Sequence, residues 1–301
     1  MILAPELPCA PAQEKAATTL TSLLDSWSEH LPDQVAYRYI SDDESNEETL
    51  TYRTMAERSR GLAVELVHQG ATGAPVMVAH PTGLSFLEGL FACWYAGAIA
   101  VPCYPPQGRR HRERFAAVVR DCEARLILGE ATHDKVFHEA GVRRVEGQGG
   151  ARFFQSPPAI AETRLLQYTS GSTASPKGVK VTQANLLHQL DAIRERFAPL
   201  QLRSLLSWLP PYHDMGLVLK ILHAMSSGIP LTFFPPEAFM QRPMRWLRAI
   251  QRYGAEFSAA PNFAFELCLR AVRPEDFDTL DLSCWKAAPC GAERVRPETM
   301  T

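Results

Sequence analysis

At 301 residues, 46% hydrophobic and 21% charged, the chain has the composition of a globular protein, which excludes a mainly disordered, collagenous or fibrous one. Its 31 Lys and Arg nearly balance 33 Asp and Glu, a formal net charge of −2, so a strong global attraction to nucleic acid or an anionic membrane is excluded and only local basic patches remain. Seven cysteines, an odd number without a Cys-x-x-Cys pair, argue against a disulfide framework or a structural zinc site.

The N-terminal Met1–Glu6 lacks the basic flank and apolar run of a signal peptide, and a reducing, cytoplasmic setting is expected. Helical spacing runs over 20–31, a strand over 35–40, and an acidic loop over 41–48. Residues 52–69 form an amphipathic helix closed by Gly70. Strand 76–79, helix 84–96 and strand 99–101 follow, the last closed by Pro102-Cys103-Tyr104-Pro105-Pro106. The apolar run 84–101 carries Glu88 and falls short of the ~20 residues of a membrane span, so a buried helix running into a strand is expected, with no transmembrane segment. Helix 110–122 and strand 125–128 lead to a loose Gly- and Pro-rich connection over 141–158.

A second alternating run then begins: strand 165–169, helix 183–197, strand 205–209, helix 217–225, strand 231–234, helix 240–253, strand 256–259, helix 262–271 and strand 284–288. Alternating strands and helices imply an α/β fold of parallel sheets covered by helices. The connection near residue 150 divides it into two α/β subdomains, 1–160 and 161–301, with ligands expected beyond the carboxyl ends of the strands. At the end, Pro297 and Glu298 suit the first turn of a helix that Thr301 leaves without a body, so the second subdomain is expected to be incomplete.

After strand 165–169 comes Tyr168-Thr169-Ser170-Gly171-Ser172-Thr173-Ala174-Ser175-Pro176-Lys177-Gly178-Val179. Glycines let backbone N–H groups approach phosphate oxygens, hydroxyls add donors, and Lys177 adds a point charge. Pro176-Lys177-Gly178 is not the Gly-Lys-Ser/Thr order of a Walker A loop, which argues against an unrelated P-loop NTPase. The string resembles the phosphate-binding signature of the adenylate-forming superfamily, which includes acyl-CoA ligases, peptide-synthetase adenylation domains and fatty acyl-AMP ligases. The resemblance implies that Thr169, Ser170, Gly171, Ser172, Thr173 and Lys177 surround the phosphates of ATP, with Lys177 catalytic and Thr173 reaching Mg²⁺ through those phosphates.

Three further strings resemble the fatty acyl-AMP ligase branch: Ala100–Pro106, Leu209-Pro210-Pro211-Tyr212-His213-Asp214-Met215-Gly216-Leu217, and Ala260–Cys268. By that resemblance His213 positions or polarises the acyl carboxylate, and His213, Asp214, Met215, Gly216 and Phe263 bind the fatty acid; Asp214 has helix capping as its alternative. Leu217, Val218, Phe233, Phe234, Phe239 and Met240 are either tunnel wall or plain core. Gly291-Ala292-Glu293 resembles the adenine-contacting segment, although Arg294 stands where proline is usual and Cys290 where asparagine is common. The basic run Arg109–Arg114 either faces an acidic carrier protein or is a solvated helix end.

The resemblance implies the N-terminal part of an enzyme that activates a fatty acid with ATP and Mg²⁺ to an acyl-adenylate, releases pyrophosphate, and passes the acyl group to an acyl carrier protein or a polyketide or peptide-synthetase module. It also implies that the third subdomain and the C-terminal lid lie beyond residue 301, and that 301 residues alone turn nothing over. The alternatives are a fatty acyl-CoA ligase and a truncated binding fragment without catalysis.

Overall fold

The computed structural model describes residues 19–44, 46–147, 158–159, 161–168 and 176–300. In chain order the first elements are α1 (Leu20–His30), β1 (Val35–Ile40), β2 (Glu47–Thr51), α2 (Tyr52–His68), β3 (Pro75–Ala79) and α3 (Leu84–Tyr95). Then follow β4 (Ile99–Pro102), α4 (Gly108–Cys122), β5 (Leu126–Gly129), α5 (Asp134–Glu139), β6 (Arg143–Arg144), β7 (Thr163–Tyr168), β8 (Gly178–Thr182) and α6 (Gln183–Phe197). The remainder comprises β9 (Leu205–Ser207), α7 (Asp214–Gly216), a π-helical stretch Leu217–Leu222, α8 (His223–Ser227), β10 (Leu231–Phe233), α9 (Pro236–Gln241), α10 (Met244–Tyr253), α11 (Asn262–Ala271), α12 (Pro274–Phe277) and α13 (Pro297–Met300).

One sheet has the order β6-β5-β3-β4-β7-β8, parallel except for the β7–β8 pair. Its central strands are apolar runs buried on both faces, as a covered parallel sheet requires. Side-chain alternation sorts them into two layers. Val76, Val78, Ala100, Leu126 and Leu128 face the core that holds Phe86, Leu90 and Phe91 of α3. Met77, Ala79, Val101 and Ile127 face Phe115, Val118, Val119 and Cys122, the apolar stripe of α4. Burying each such large side chain contributes about 1.5–3 kcal/mol. The α3 run is therefore a core helix, apolar except along the side that carries Ser85 and Glu88, where Glu88 pairs with Arg58 at 3.0 Å. Among the described residues no helix is long and apolar enough to cross a membrane.

The second sheet has the order β2-β1-β10-β9. Both sheets thus draw strands from either side of residue 160, so the expected division of the chain there does not coincide with a division between sheets. Parallel pairing is the physical reason: β1 lies beside β10 and β4 beside β7, each closing across a long connection. The expected strands over 256–259 and 284–288 occur as single parallel bridges, Leu205 to Phe257 and Phe257 to Ala287, that extend this sheet past β9. The expected helix over 240–253 is two helices, because Pro243 supplies no N–H and forces Arg242 out of the helical region.

His80 at the end of β3 and His223 in α8 are pushed down to about 4 by burial, with Arg144 and Lys220 respectively adding to the effect. An unfolded histidine takes up its proton near pH 6.5. Between pH 6.5 and about 4 the unfolded chain therefore binds protons that the folded chain refuses, and stability falls as pH falls through that window, by up to about 3 kcal/mol per group. Urea denaturation is expected to show this decline, and the double variant His80→Gln/His223→Gln is expected to flatten it.

Candidate functional site

The glycine- and hydroxyl-rich string joins two antiparallel strands, β7 and β8. Tyr168, the last residue of β7, pairs with Gly178, the first of β8. Gly178 lets the Tyr168 ring lie close to the strand, since a Cβ there would stand 2.9 Å from its Cζ and the ring would have to shift. Thr169, Ser170, Gly171, Ser172 and Thr173, including the expected Mg²⁺ contact of Thr173, lie outside the described residues. Lys177 is exposed at the foot of β8. Thr182 ends β8 and opens α6 with a reciprocal cap: its hydroxyl accepts from the Asn185 N–H at 3.1 Å, and Asn185 Oδ1 accepts from the Thr182 N–H at 3.0 Å. Strand β8 was missing from the sequence reading, although Val179-Lys180-Val181-Thr182 has the β-branched alternation that marks a strand.

The second string turns at the end of β9. The His213 N–H donates to the Pro210 carbonyl at 3.1 Å, and the Leu217 N–H to the His213 carbonyl at 2.8 Å. Gly216 packs against that turn so closely that a Cβ would meet the Pro210 carbonyl oxygen at 2.2 Å. His213 is the N-cap of α7, with Nδ1 3.3 Å from the Met215 nitrogen and 2.8 Å from Oδ1 of Asp214. Asp214 Oδ1 also accepts from the Met215 N–H at 2.6 Å, so Asp214 shares the capping. The His213 and Asp214 side chains are 53% and 70% exposed, which leaves the imidazole edge open to a ligand.

Gln167, in β7, donates from Nε2 to the Tyr212 carbonyl at 2.8 Å. That bond ties the hairpin to the His213 turn. The Tyr212 ring meets Tyr104 edge-on at 5.3 Å, and Tyr104 in turn lies 4.5 Å from the His111 ring. Burial, with help from Glu237 and Tyr104, pushes the Tyr212 phenol well up, so it stays protonated. The Ala100–Pro106, hairpin and His213 strings therefore meet beyond the carboxyl ends of β4, β7 and β9. The basic run Arg109–Arg114 lies exposed on the first turns of α4, with Arg109 paired to Glu113 at 2.9 Å.

Met215 is half-buried against two apolar clusters, one holding Phe257 and the other Trp208. Trp208 stacks on Phe239 at 3.9 Å and meets the Phe263 ring edge-on at 6.1 Å. Sequence reasoning passed over Trp208; its place directly before Leu209-Pro210 was the available signal. Leu217, Phe234 and Phe239 are fully buried core, whereas Met240 is 55% exposed.

The third string closes the same face. The Phe263 N–H, in the first turn of α11, donates to Oε1 of Glu293 at 2.7 Å, so the carboxylate sits at the positive end of that helix. Ala292 adopts φ +64, and Gly291 donates its N–H to the Ala260 carbonyl at 3.3 Å. Glu293, Phe263, Asn262, Arg294 and Arg296 line a cleft of about 390 Å³. The link from Glu293 to the His213 turn runs through Phe263 and Trp208.

Comparison with known proteins gives one consistent picture. The family model described as AMP-binding enzyme matches residues 24–301. The medium-chain-fatty-acid–[acyl-carrier-protein] ligase JamA of Moorena producens is 35% identical over 94% of this chain and 51% of its own length. The long-chain-fatty-acid–AMP ligase FadD23 of Mycobacterium tuberculosis is 37% identical over 89% of this chain and 50% of its own length. A crystal structure of the fatty acyl-adenylate ligase from L. pneumophila in complex with acyl adenylate and pyrophosphate superposes with a TM-score of 0.86 at 34% identity, over 94% of this chain and 51% of the other. The chain thus spans about half the length of the relatives it matches.

Proposed function

The chain belongs to the AMP-binding enzyme family, and from that premise we propose that it forms the N-terminal part of an enzyme that condenses a fatty acid with ATP to an acyl-adenylate and hands the acyl group to a carrier protein. The observation that carries the proposal is the Gln167–Tyr212 hydrogen bond, which holds the foot of the phosphate hairpin against the turn that presents His213. The bond supports a reading in which the phosphate string and the group addressing a carboxylate serve one site, as the reaction needs.

The chemistry suits these residues. A free carboxylic acid ionises near pH 4, so the nucleophile needs no general base. The barrier lies in aligning two anions and stabilising charge at the attacked phosphorus. The Lys177 ammonium, at the hairpin end, supplies charge toward the phosphates. His213 positions the carboxylate: its Nδ1 faces the Met215 N–H at 3.3 Å and Asp214 Oδ1 at 2.8 Å, engaging one or the other according to its protonation, which leaves Nε2 for the ligand. Among the described residues no group of three His, Cys, Asp or Glu is gathered for a metal ion. Mg²⁺ would be carried on the ATP phosphates, with Thr173 its candidate hydroxyl by the family resemblance, and would supply charge neutralisation there.

The acceptor is set by experiment. In the polypeptide at the full length of its relatives, acyl transfer to a phosphopantetheinylated carrier protein is expected to exceed transfer to coenzyme A by at least tenfold across chain lengths. Preferred transfer to coenzyme A would make it an acyl-CoA ligase.

A further inference from the structure

Lys220 lies in the middle of the π-helical stretch that follows His213, seven residues or about 10 Å further along the helical run. It is fully buried, and its Nζ has no hydrogen-bond partner among the described residues. The ammonium nitrogen stands 4.1 Å from the centroid of the Phe257 ring. Phe197 meets that ring edge-on at 4.8 Å, and the His223 ring lies 5.7 Å from it. A cation over an aromatic face recovers only a small part of the hydration that a buried, unpaired ammonium loses, so the ring does not compensate it. Burial accordingly holds the Lys220 amine well below its ordinary range.

The helix around it is also irregular. Six residues, Leu217–Leu222, run in π geometry, a widened form that costs regular hydrogen bonding and recurs at ligand sites. The stretch is held in place by the Tyr37 hydroxyl, which donates to the Ile221 carbonyl at 3.0 Å. Lys220 therefore points from a deformed helix into the seam between that helix and the Phe257 segment. Met215, five residues before Lys220 on the same helical run, is half-buried against the core cluster that includes Phe257 and against that of Trp208.

We propose that Lys220 is a specificity-determining residue of the acyl site, its amine receiving an oxygen-bearing group (hydroxyl, oxo or carboxylate) carried on the hydrocarbon chain of the substrate acid. The inference rests on the fatty-acid reading above. An apolar chain alone leaves the amine as uncompensated as it is without ligand; an oxygen at that depth supplies its missing hydrogen bond. A site built around a buried polar group rejects the analogue that lacks the matching partner.

The test uses the polypeptide at the full length of its relatives and tryptophan fluorescence titration. The probes are ω-hydroxy fatty acids of eight to sixteen carbons and the unsubstituted acids of the same lengths. At one or more lengths the wild-type chain is expected to bind the ω-hydroxy acid at least tenfold more tightly. Lys220→Met is expected to reverse the preference and, without ligand, to raise the melting temperature, since an isosteric apolar side chain removes the unpaired amine. Lys220→Gln keeps a polar donor and is expected to retain part of the preference. Equal binding of both acid series by the wild type, or a preference that Lys220→Met leaves unchanged, overturns the proposal while leaving the fatty-acid reading intact. Absence of binding by any acid overturns the fatty-acid reading and the proposal with it.

Discussion

Replacing Lys177 and Ser172 together by alanine is expected to lower fatty-acid-dependent exchange of pyrophosphate into ATP by at least about a hundredfold in the polypeptide at the full length of its relatives. The argument starts from charge. Two anions, the acid and the triphosphate, must approach in line, and the chain's net charge of −2 gives no helpful global field. The attraction must come from local groups, and the Thr169–Lys177 string concentrates hydroxyls, glycines and one cation between two paired strands. Lys177 is exposed, so its replacement is expected to cost little stability, and the melting temperature of the double variant serves as the control. Loss of exchange with the fold intact then reports on phosphate binding alone. Undiminished exchange would remove the hairpin from the site.

Gly216→Ala is the second large effect. The new Cβ would start 2.2 Å from the Pro210 carbonyl oxygen and 3.2 Å from that of Leu209, both backbone atoms with no rotamer to yield. The turn must move away from α7, at a cost of about 1–3 kcal/mol of stability. The same movement shifts His213, whose position is set by its N–H bond to Pro210 and by its cap on Met215. A displacement of about 1 Å at a positioning group costs about a hundredfold in rate. Urea denaturation and exchange kinetics together check this: both are expected to fall, with kcat affected more than the KM for ATP. A variant as stable and as active as the wild type would show that the turn is free to relax and that His213 needs no fixed place.

Much of this architecture is legible in the residues. The apolar run of β3 and the stripe Phe115, Val118, Val119, Cys122 on α4 carry their periods openly, and both form the expected elements. Strand order is not legible, because β1–β10 and β4–β7 pairing depends on contacts far apart in the chain. Single-bridge segments such as Phe257–Ala287 look like strands in sequence yet pair too briefly to form a ladder. In the site, the strings around Lys177 and His213 stand out by composition. What joins them, Gln167 to the Tyr212 carbonyl, is a side-chain-to-backbone bond that no local pattern encodes. Lys220 was hidden for the opposite reason. A lysine at the end of Leu217-Val218-Leu219 reads as a solvated helix position, and only the packing of Phe257 and Phe197 around it shows that it is buried.

The most direct test of the central claim is ATP–pyrophosphate exchange by the polypeptide at the full length of its relatives, measured with and without a fatty acid. A fatty-acid-dependent exchange, with acyl-AMP recovered as its product, is the result expected. Exchange that proceeds equally without fatty acid, or that answers only to a different class of carboxylic acid, would contradict the account.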